Sequence, residues 1–144
     1  MTLSNNIQLH INSTVSATVG VANASGSISR RTTDALPDAD ALFTTADEIS
    51  GGSNTYDLDG ALTDPIGDVV TFDEVHFLWF RNTSENAMTL GGTLAVLSDG
   101  IAVPAGGEVM LKGVYAVAGS ADEITISGTD TDEYELVVIG VKPE

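Results

Sequence analysis

The chain has 144 residues, with five Lys or Arg against 21 Asp or Glu, a formal net charge of −16 and no cysteine. Its length fits one domain, and the lack of cysteine excludes disulfides, zinc–thiolate sites and cysteine nucleophiles. The charge argues against nucleic acid and anionic membranes as partners, because both are bound through clustered cations.

The first predicted element is a strand with one apolar face. Apolar residues fall on odd positions through residues 7–21, and a period of two is typical of a half-buried strand. These alternating residues include Ile7, Leu9, Ile11, Val15 and Val19. The polar run 12–14 predicts a bend or turn between two strands, and residues 25–31 predict a further short strand.

Residues 34–52 predict a departure from the strand pattern. Apolar residues there recur at spacings of three and four, which favours one short amphipathic helix near residues 38–50. Asp38 is the predicted cap of this helix and Gly51 its predicted end. Because Thr44 and Thr45 are poor helix formers, a long ordered loop stays open as the alternative.

After Gly52, short apolar runs alternate with turns rich in Gly, Pro, Asp and Asn. This pattern predicts an all-β fold, an antiparallel β-sandwich of jelly-roll-like type. The predicted strands are 56–58, 69–72, 75–81, 88–90, 93–97, 108–114, 123–127 and 134–141. We expect one structural domain, with residues 53–144 as the sandwich core. Residues 1–52 are expected to be an N-terminal arm packed on the sandwich or extending from it.

The most apolar run, residues 75–81, is predicted to be a central strand covered on both sides, because both of its faces are bulky. Val75, Phe77, Trp79 and Arg81 are expected on one face, with His76, Leu78 and Phe80 on the other. Trp79 is expected in the core, and the open alternative is that it anchors an interface.

No catalytic site, cofactor, metal site or small-molecule substrate is predicted. Phosphate-binding and dinucleotide-binding fingerprints are both missing from the sequence, and the separated His10 and His76 favour structural roles over a metal-binding pair. Alternate carboxylates at Asp38/Asp40, Asp57/Asp59 and Asp130/Asp132 raise a Ca²⁺ alternative. They lack a complete EF-hand loop, however, and such spacings arise by chance in so acidic a chain.

The predicted interaction residues lie in the arm. An alternating apolar strand can pack on a partner or pair with its strand edge, and Arg30 and Arg31 are the best candidates for an exposed basic contact. The predicted interface residues are Ile7, Leu9, Ile11, Val15, Val19, Arg30 and Arg31.

The order and spacing of short motifs over residues 55–141 resemble those of the decoration or cement proteins on the heads of tailed bacteriophages. The matching motifs are Tyr56-Asp57-Leu58, Leu62-Thr63-Asp64, Gly67, Thr71-Phe72, Arg81-Asn82-Thr83-Ser84, Leu90-Gly91-Gly92, the 104–107 turn, Ile124-Thr125-Ile126 and Val137-Val138-Ile139-Gly140.

The resemblance implies a structural virion protein without enzymatic activity, made in the host cytoplasm and bound to the capsid exterior. Its implied partners are the major capsid protein and itself, as a dimer or trimer. The resemblance further implies that the arm grips the capsid or a neighbouring subunit. Two alternatives stay open, namely a head-fibre or tail-associated adhesion module and an enzyme such as a glycan hydrolase.

Overall fold

The computed structural model describes residues 39–60, 62–63 and 66–144 with their side chains, and residues 6–19 and 24–37 as backbone. The strands in chain order are β1 Asn6–Val19, β2 Ala24–Pro37, β3 Ala41–Glu48, β4 Ser53–Asp57, β5 Leu62–Thr63, β6 Val69–Val70, β7 Glu74–Asn82, β8 Met88–Gly92, β9 Ile101–Val103, β10 Glu108–Ala116, β11 Glu123–Ser127 and β12 Glu133–Val141.

Two four-stranded sheets form the body of the molecule. Sheet I has the order β10-β7-β12-β3, and sheet II has the order β4-β11-β8-β9. Every strand pair is antiparallel, which confirms the predicted all-β antiparallel sandwich. Strands β1 and β2 form a two-stranded sheet of their own, here called the ribbon, and β5 pairs with β6.

The main core consists of alternate residues on the inner faces of the two sheets, as in other sandwiches. Two tilted aromatic pairs belong to it, Phe43 with Tyr56 and Phe80 with Tyr134, with ring centroids 5.3 and 5.9 Å apart. Residues with no exposed surface in this core include Leu58, Leu78, Phe80, Leu90, Leu94, Leu97, Ile124, Ile126, Leu136 and Val138.

The predicted helix near residues 38–50 is wrong, and so is the alternative loop, because residues 41–48 form strand β3. β3 pairs with β12 along its whole length. Phe43 is buried in the main core while Leu42 packs on the opposite face. Because this strand has apolar residues on both faces, their spacings of three and four resembled those of a helix. The sandwich therefore includes a strand that precedes its predicted start at residue 53.

Two other predicted elements also differ. Residues 93–97 were expected to be a strand, but Ala95–Leu97 is a turn of 3₁₀ helix. Leu94 and Leu97 are both fully buried, in keeping with the 3₁₀ helix, where residues three apart share a face. The expected bend at 12–14 is missing, because β1 pairs with β2 without a shift in register.

Strand β7 is central in sheet I, between β10 and β12, but a β-bulge changes its predicted faces. Phe77 lies opposite Ile139, whereas Val75 lies opposite Gly140, so His76 has no partner on β12. The bulge turns Val75 into the core with Leu78 and Phe80. Phe77 and Trp79 stay together on the outer face.

Candidate interaction surfaces

The ribbon has one mainly aliphatic face and one mainly polar face. Residues that lie directly opposite each other in an antiparallel pair share a face, so the register of β1 and β2 assigns both faces. One face carries the aliphatic positions Ile7, Leu9, Ile11, Val15, Ala17, Val19, Ala24, Ile28 and Leu36, together with Ser13, Gly26, Arg30, Thr32 and Asp34. The other face carries the polar positions Asn6, Gln8, His10, Asn12, Thr14, Ser16, Thr18, Ser25, Ser27, Ser29, Arg31 and Thr33, together with Ala35 and Pro37.

The register brings the five predicted aliphatic interface residues onto one face of the ribbon, and it separates the two arginines. Arg30 lies opposite Ser13 on the apolar face, and Arg31 lies opposite Asn12 on the polar face. The two arginines therefore do not form one basic contact, and only Arg30 shares a face with the aliphatic set.

Charge is divided unequally between the arm and the sandwich. Residues 1–37 contain two arginines and one acid, Asp34, for a net charge of +1; the rest of the chain contains three cations and 20 acids, for −17. The acidity of the protein thus belongs to the sandwich, and the ribbon can approach an acidic surface without repulsion between net charges.

Sheet I carries a second apolar surface on the side away from the main core. Phe77 and Ile139 are 2% and 5% exposed there, packed with Ala39, and half-buried hydrophobic residues surround them. Met110 lies opposite Trp79 and is 45% exposed. This outer apolar face consists of Ala39, Leu42, Phe77, Trp79, Met110, Val137 and Ile139.

The outer face of sheet II has the opposite character. The positions that alternate with its core residues are Ser53, Thr55, Asp57, Thr89, Gly91, Ala102, Glu123, Thr125 and Ser127. The hydroxyls of Thr55 and Thr125 lie 3.1 Å apart across neighbouring strands. A polar outer face is usual for an antiparallel sandwich in water, so the outer apolar face of sheet I is the exception. Its centre, Ala39, Phe77 and Ile139, is already buried within the chain, and Met110 at its edge is exposed.

Charged residues border the outer apolar face. Arg81 Nε lies 3.6 Å from Glu108 Oε1, and Glu135 lies opposite Arg81 on the other neighbouring strand. Lys112 lies opposite Phe77. An apolar centre with a charged rim is the usual composition of a protein–protein interface.

Trp79 belongs to this surface and not to the main core, where it was expected. It is half-buried and packs against the cluster of Phe77 and Ile139. The other members of the surface were missed by sequence analysis. The sequence feature that indicates this surface is a strand with apolar residues on both faces, as in residues 77–80 and 136–139.

An acidic groove of about 370 Å³ lies along β3 and β12, lined by Ala46, Asp47, Glu48, Thr83, Glu133, Tyr134 and Glu135. The hydroxyl of Tyr134 hydrogen-bonds to that of Tyr56 and accepts a hydrogen bond from Asn54 Nδ2 at 2.8 Å. Burial raises the pKa of both tyrosines. Both phenols are neutral at physiological pH, and Tyr134 forms part of the wall of the groove.

Three described carboxylates of the Ca²⁺ alternative accept hydrogen bonds from the protein, one within its own turn and two from other segments of the chain. Asp57 Oδ1 accepts from the amide of Asp59 at 3.1 Å, Asp130 Oδ1 from the amide of Gly52 at 2.7 Å, and Asp132 Oδ1 from Asn86 Nδ2 at 3.0 Å. Among the residues with described side chains, no group of three or more His, Asp or Glu has a metal-binding arrangement. Asp38 lies outside the described residues.

The remaining titratable candidate, His76, stands at the β-bulge of β7. Its Nε2 lies 2.9 Å from Glu74 Oε2, so its described partner is a neighbour on the same strand.

In the part of the chain that the structure describes, no helix has the length and hydropathy needed to cross a membrane.

No protein-family model matches the chain, and no curated protein or solved structure matches it. The surfaces that can carry a functional argument are therefore the apolar face of the ribbon and the outer apolar face of sheet I.

Proposed function

We propose that the chain is a structural virion protein, a decoration protein that binds the outer surface of a phage capsid as an oligomer and stabilises the shell non-covalently. It would be made in the host cytoplasm, and its partner would be the major capsid protein. The observation that carries the proposal is a long amphipathic ribbon that belongs to neither sheet of an acidic sandwich.

The ribbon has the properties expected of an attachment element. A two-stranded hairpin alone is only marginally stable in water, so its apolar face is stabilised by packing on another surface. Full burial of one aliphatic side chain contributes about 1.5–3 kcal/mol, while association costs about 4–15 kcal/mol. One ribbon therefore gives modest affinity, which an oligomer engaging several lattice positions raises by avidity.

Binding of the purified full-length chain to particles that lack it tests this proposal. Val15→Asp places a charge on the apolar face of the ribbon, and Ser16→Asp places the same charge on the polar face. We expect the wild-type chain and Ser16→Asp to sediment with the particles, and Val15→Asp to stay in the supernatant. Circular dichroism should show the same β content for all three proteins.

Equal sedimentation of the two variants would contradict the role of the apolar face. Failure of the wild-type chain to bind any shell would contradict the decoration function itself.

A further inference from the structure

We propose that the folded chain cleaves its own backbone between Asn86 and Ala87. The side-chain amide nitrogen of Asn86 attacks the main-chain carbonyl carbon of the same residue, and Asp132 acts as the general base. The reaction takes place once per chain and involves no partner protein, so it does not depend on the proposed binding to a capsid.

The reacting amide lies beside a carboxylate from a distant part of the chain. Asn86 Nδ2 lies 3.0 Å from Asp132 Oδ1, and this contact fixes the orientation of the amide because a carboxylate can only accept hydrogen bonds. An amide nitrogen is a weak nucleophile until a base takes one of its protons, and the base has to lie within hydrogen-bond distance of it. Asp132 meets this requirement.

Asp132 has an oxygen that can hold the transferred proton. The residue is 8% exposed, and its Oδ2 has no hydrogen-bond partner among the described residues. A Cβ built on Gly128 would lie 3.9 Å from this oxygen and also contact the side chains of Met88 and Ile49, so Oδ2 lies near apolar groups. An unsatisfied buried polar atom is rare in a folded protein, and a catalytic role is one explanation for it.

The backbone around Asp132 is strained and held in place. The preceding residue, Thr131, has a φ of +71°, which β-branched residues rarely adopt. The amide of Thr131 donates to the carbonyl of Ile49 at 2.9 Å, and the amide of Ile49 donates to the carbonyl of Asp132 at 2.8 Å. Strained residues of this kind cluster at active sites, where the surrounding fold fixes a reacting group.

The carbonyl group under attack has two hydrogen-bond donors. Asn86 O lies 2.7 Å from Asn82 Nδ2 and 3.0 Å from Ser84 Oγ. Asn82 is fully buried, so its amide is a fixed donor. The single hydroxyl proton of Ser84 can point to Asn82 Oδ1, at 2.7 Å, or to Asn86 O, and negative charge on Asn86 O favours the second direction. Donors placed in this way stabilise the oxyanion of an acyl transfer.

Atoms and electrons balance in this reaction. A bond forms between Asn86 Nδ2 and the Asn86 carbonyl carbon, which closes a succinimide ring, and the bond from that carbon to the nitrogen of Ala87 breaks. The proton that Nδ2 gives to Asp132 passes to the nitrogen of Ala87, which leaves as a free amine. Both residues of the cleaved bond are exposed, so water can carry the proton and later hydrolyse the ring. Nothing is oxidised or reduced.

The reaction requires the folded chain and leaves it assembled. Asp132 and Asn86 are 46 positions apart in sequence, so only folding brings the base to the amide. The cleaved bond lies in the loop between β7 and β8. Sheet I would then contain β3 and β7 from fragment 1–86 with β10 and β12 from fragment 87–144. The two fragments stay paired, and cleavage is an irreversible processing step after folding.

Mass spectrometry of the purified full-length chain, incubated in neutral buffer and then denatured, tests this proposal. We expect fragments 1–86 and 87–144 to accumulate, with the first form of fragment 1–86 lighter by one water than its hydrolysed form. A synthetic peptide of residues 80–92, which lacks Asp132, should be cleaved at least about 10²-fold more slowly. A wild-type chain that stays intact, or is cleaved no faster than the peptide, would overturn the proposal.

Two carboxylate variants test the base. Asp132→Asn removes the base and keeps the shape of the side chain, and we expect cleavage to slow about 10²-fold or more. The matched control is Asp130→Asn, which alters an exposed carboxylate that accepts from the amide of Gly52 at 2.7 Å, and it should be cleaved at the wild-type rate. Circular dichroism should show the same β content for both variants. Equal rates for the two would overturn the role of Asp132.

Two further variants test the nucleophile and the donors. Asn86→Gln keeps an amide but has to close a larger ring, so cleavage should slow about tenfold or more. Ser84→Ala removes one donor at a partly exposed position, where the fold tolerates the change, and should also slow cleavage about tenfold. Cleavage of Asn86→Gln at the wild-type rate would indicate a contaminating protease and overturn the proposal. Loss of one ammonia from an uncut wild-type chain would overturn it too, because the nitrogen of Ala87 would then be the nucleophile.

Discussion

Asn82→Ala is expected to be among the most destabilising polar substitutions in the sandwich. Asn82 is fully buried at the end of β7, and its Nδ2 lies 2.7, 3.2 and 3.1 Å from the carbonyl oxygens of Asn86, Val103 and Pro104. Its Oδ1 accepts from the amide and the hydroxyl of Ser84, at 2.9 and 2.7 Å. One side chain thus connects sheet I to β9 of sheet II and orders the loop between β7 and β8.

The magnitude follows from what the substitution leaves unpaired. A buried polar group without its partner costs about 1–3 kcal/mol, and a typical intramolecular hydrogen bond contributes about 0.5–1.5 kcal/mol. The contact with Val103 is buried and the others are partly accessible, so we expect Asn82→Ala to lower the free energy of unfolding by about 3 kcal/mol. For a domain of this size that corresponds to a fall in Tm of about 10 °C.

Urea denaturation followed by circular dichroism measures this loss. Ser84→Ala removes the hydroxyl bond to Oδ1 and keeps the bond from the Ser84 amide and the contacts of Nδ2, so it should cost about 1 kcal/mol. The neighbouring exposed Thr83→Ala should change stability by less than about 0.5 kcal/mol. A loss below about 1 kcal/mol for Asn82→Ala would refute the reasoning, because the network would then contribute no more than a surface contact.

Two further predictions concern the β-bulge and the tyrosine pair. A Cβ at Gly140 would lie 1.9 Å from the carbonyl oxygen of Glu74, so Gly140→Ala should lower the free energy of unfolding by more than about 3 kcal/mol in urea denaturation. The control Gly106→Ala, where the glycine has open space and a φ of +69°, should cost about 1 kcal/mol. Similar losses for the two variants would show that the bulge is not rigid. Burial raises the pKa of Tyr134 and Tyr56 above the ordinary value of 10.0, so their contribution to stability is complete below pH 10 and is lost as the pH rises toward the folded-state pKa. Between about pH 10 and 12 the wild type should therefore lose more stability than the Phe double variant, and parallel pH profiles would contradict this.

The sequence predicted the sandwich because short apolar runs and turn residues are local signals. It failed at β3, where Ala41 and Phe43 face the core and Leu42 faces the other side, so burial on both faces removed the period of two. It also missed the bulge at His76, which depends on the pairing of three strands.

The candidate surfaces were predictable to different degrees. The aliphatic face of the ribbon was visible as alternation in residues 7–21, since a strand's period is a property of neighbouring residues. The separation of Arg30 from Arg31 follows from the same period. The outer apolar face was not predictable as a surface, because it unites residues from β3, β7, β10 and β12 whose order in the sheet no local pattern determines.

The most direct test of the proposed function is the copy number of this chain relative to the major shell protein in purified particles from its source. The proposal predicts hundreds of copies per particle, in a simple ratio to the shell protein. A dozen copies or fewer would contradict it in favour of a fibre or tail component, and a chain absent from the particles would contradict any virion role.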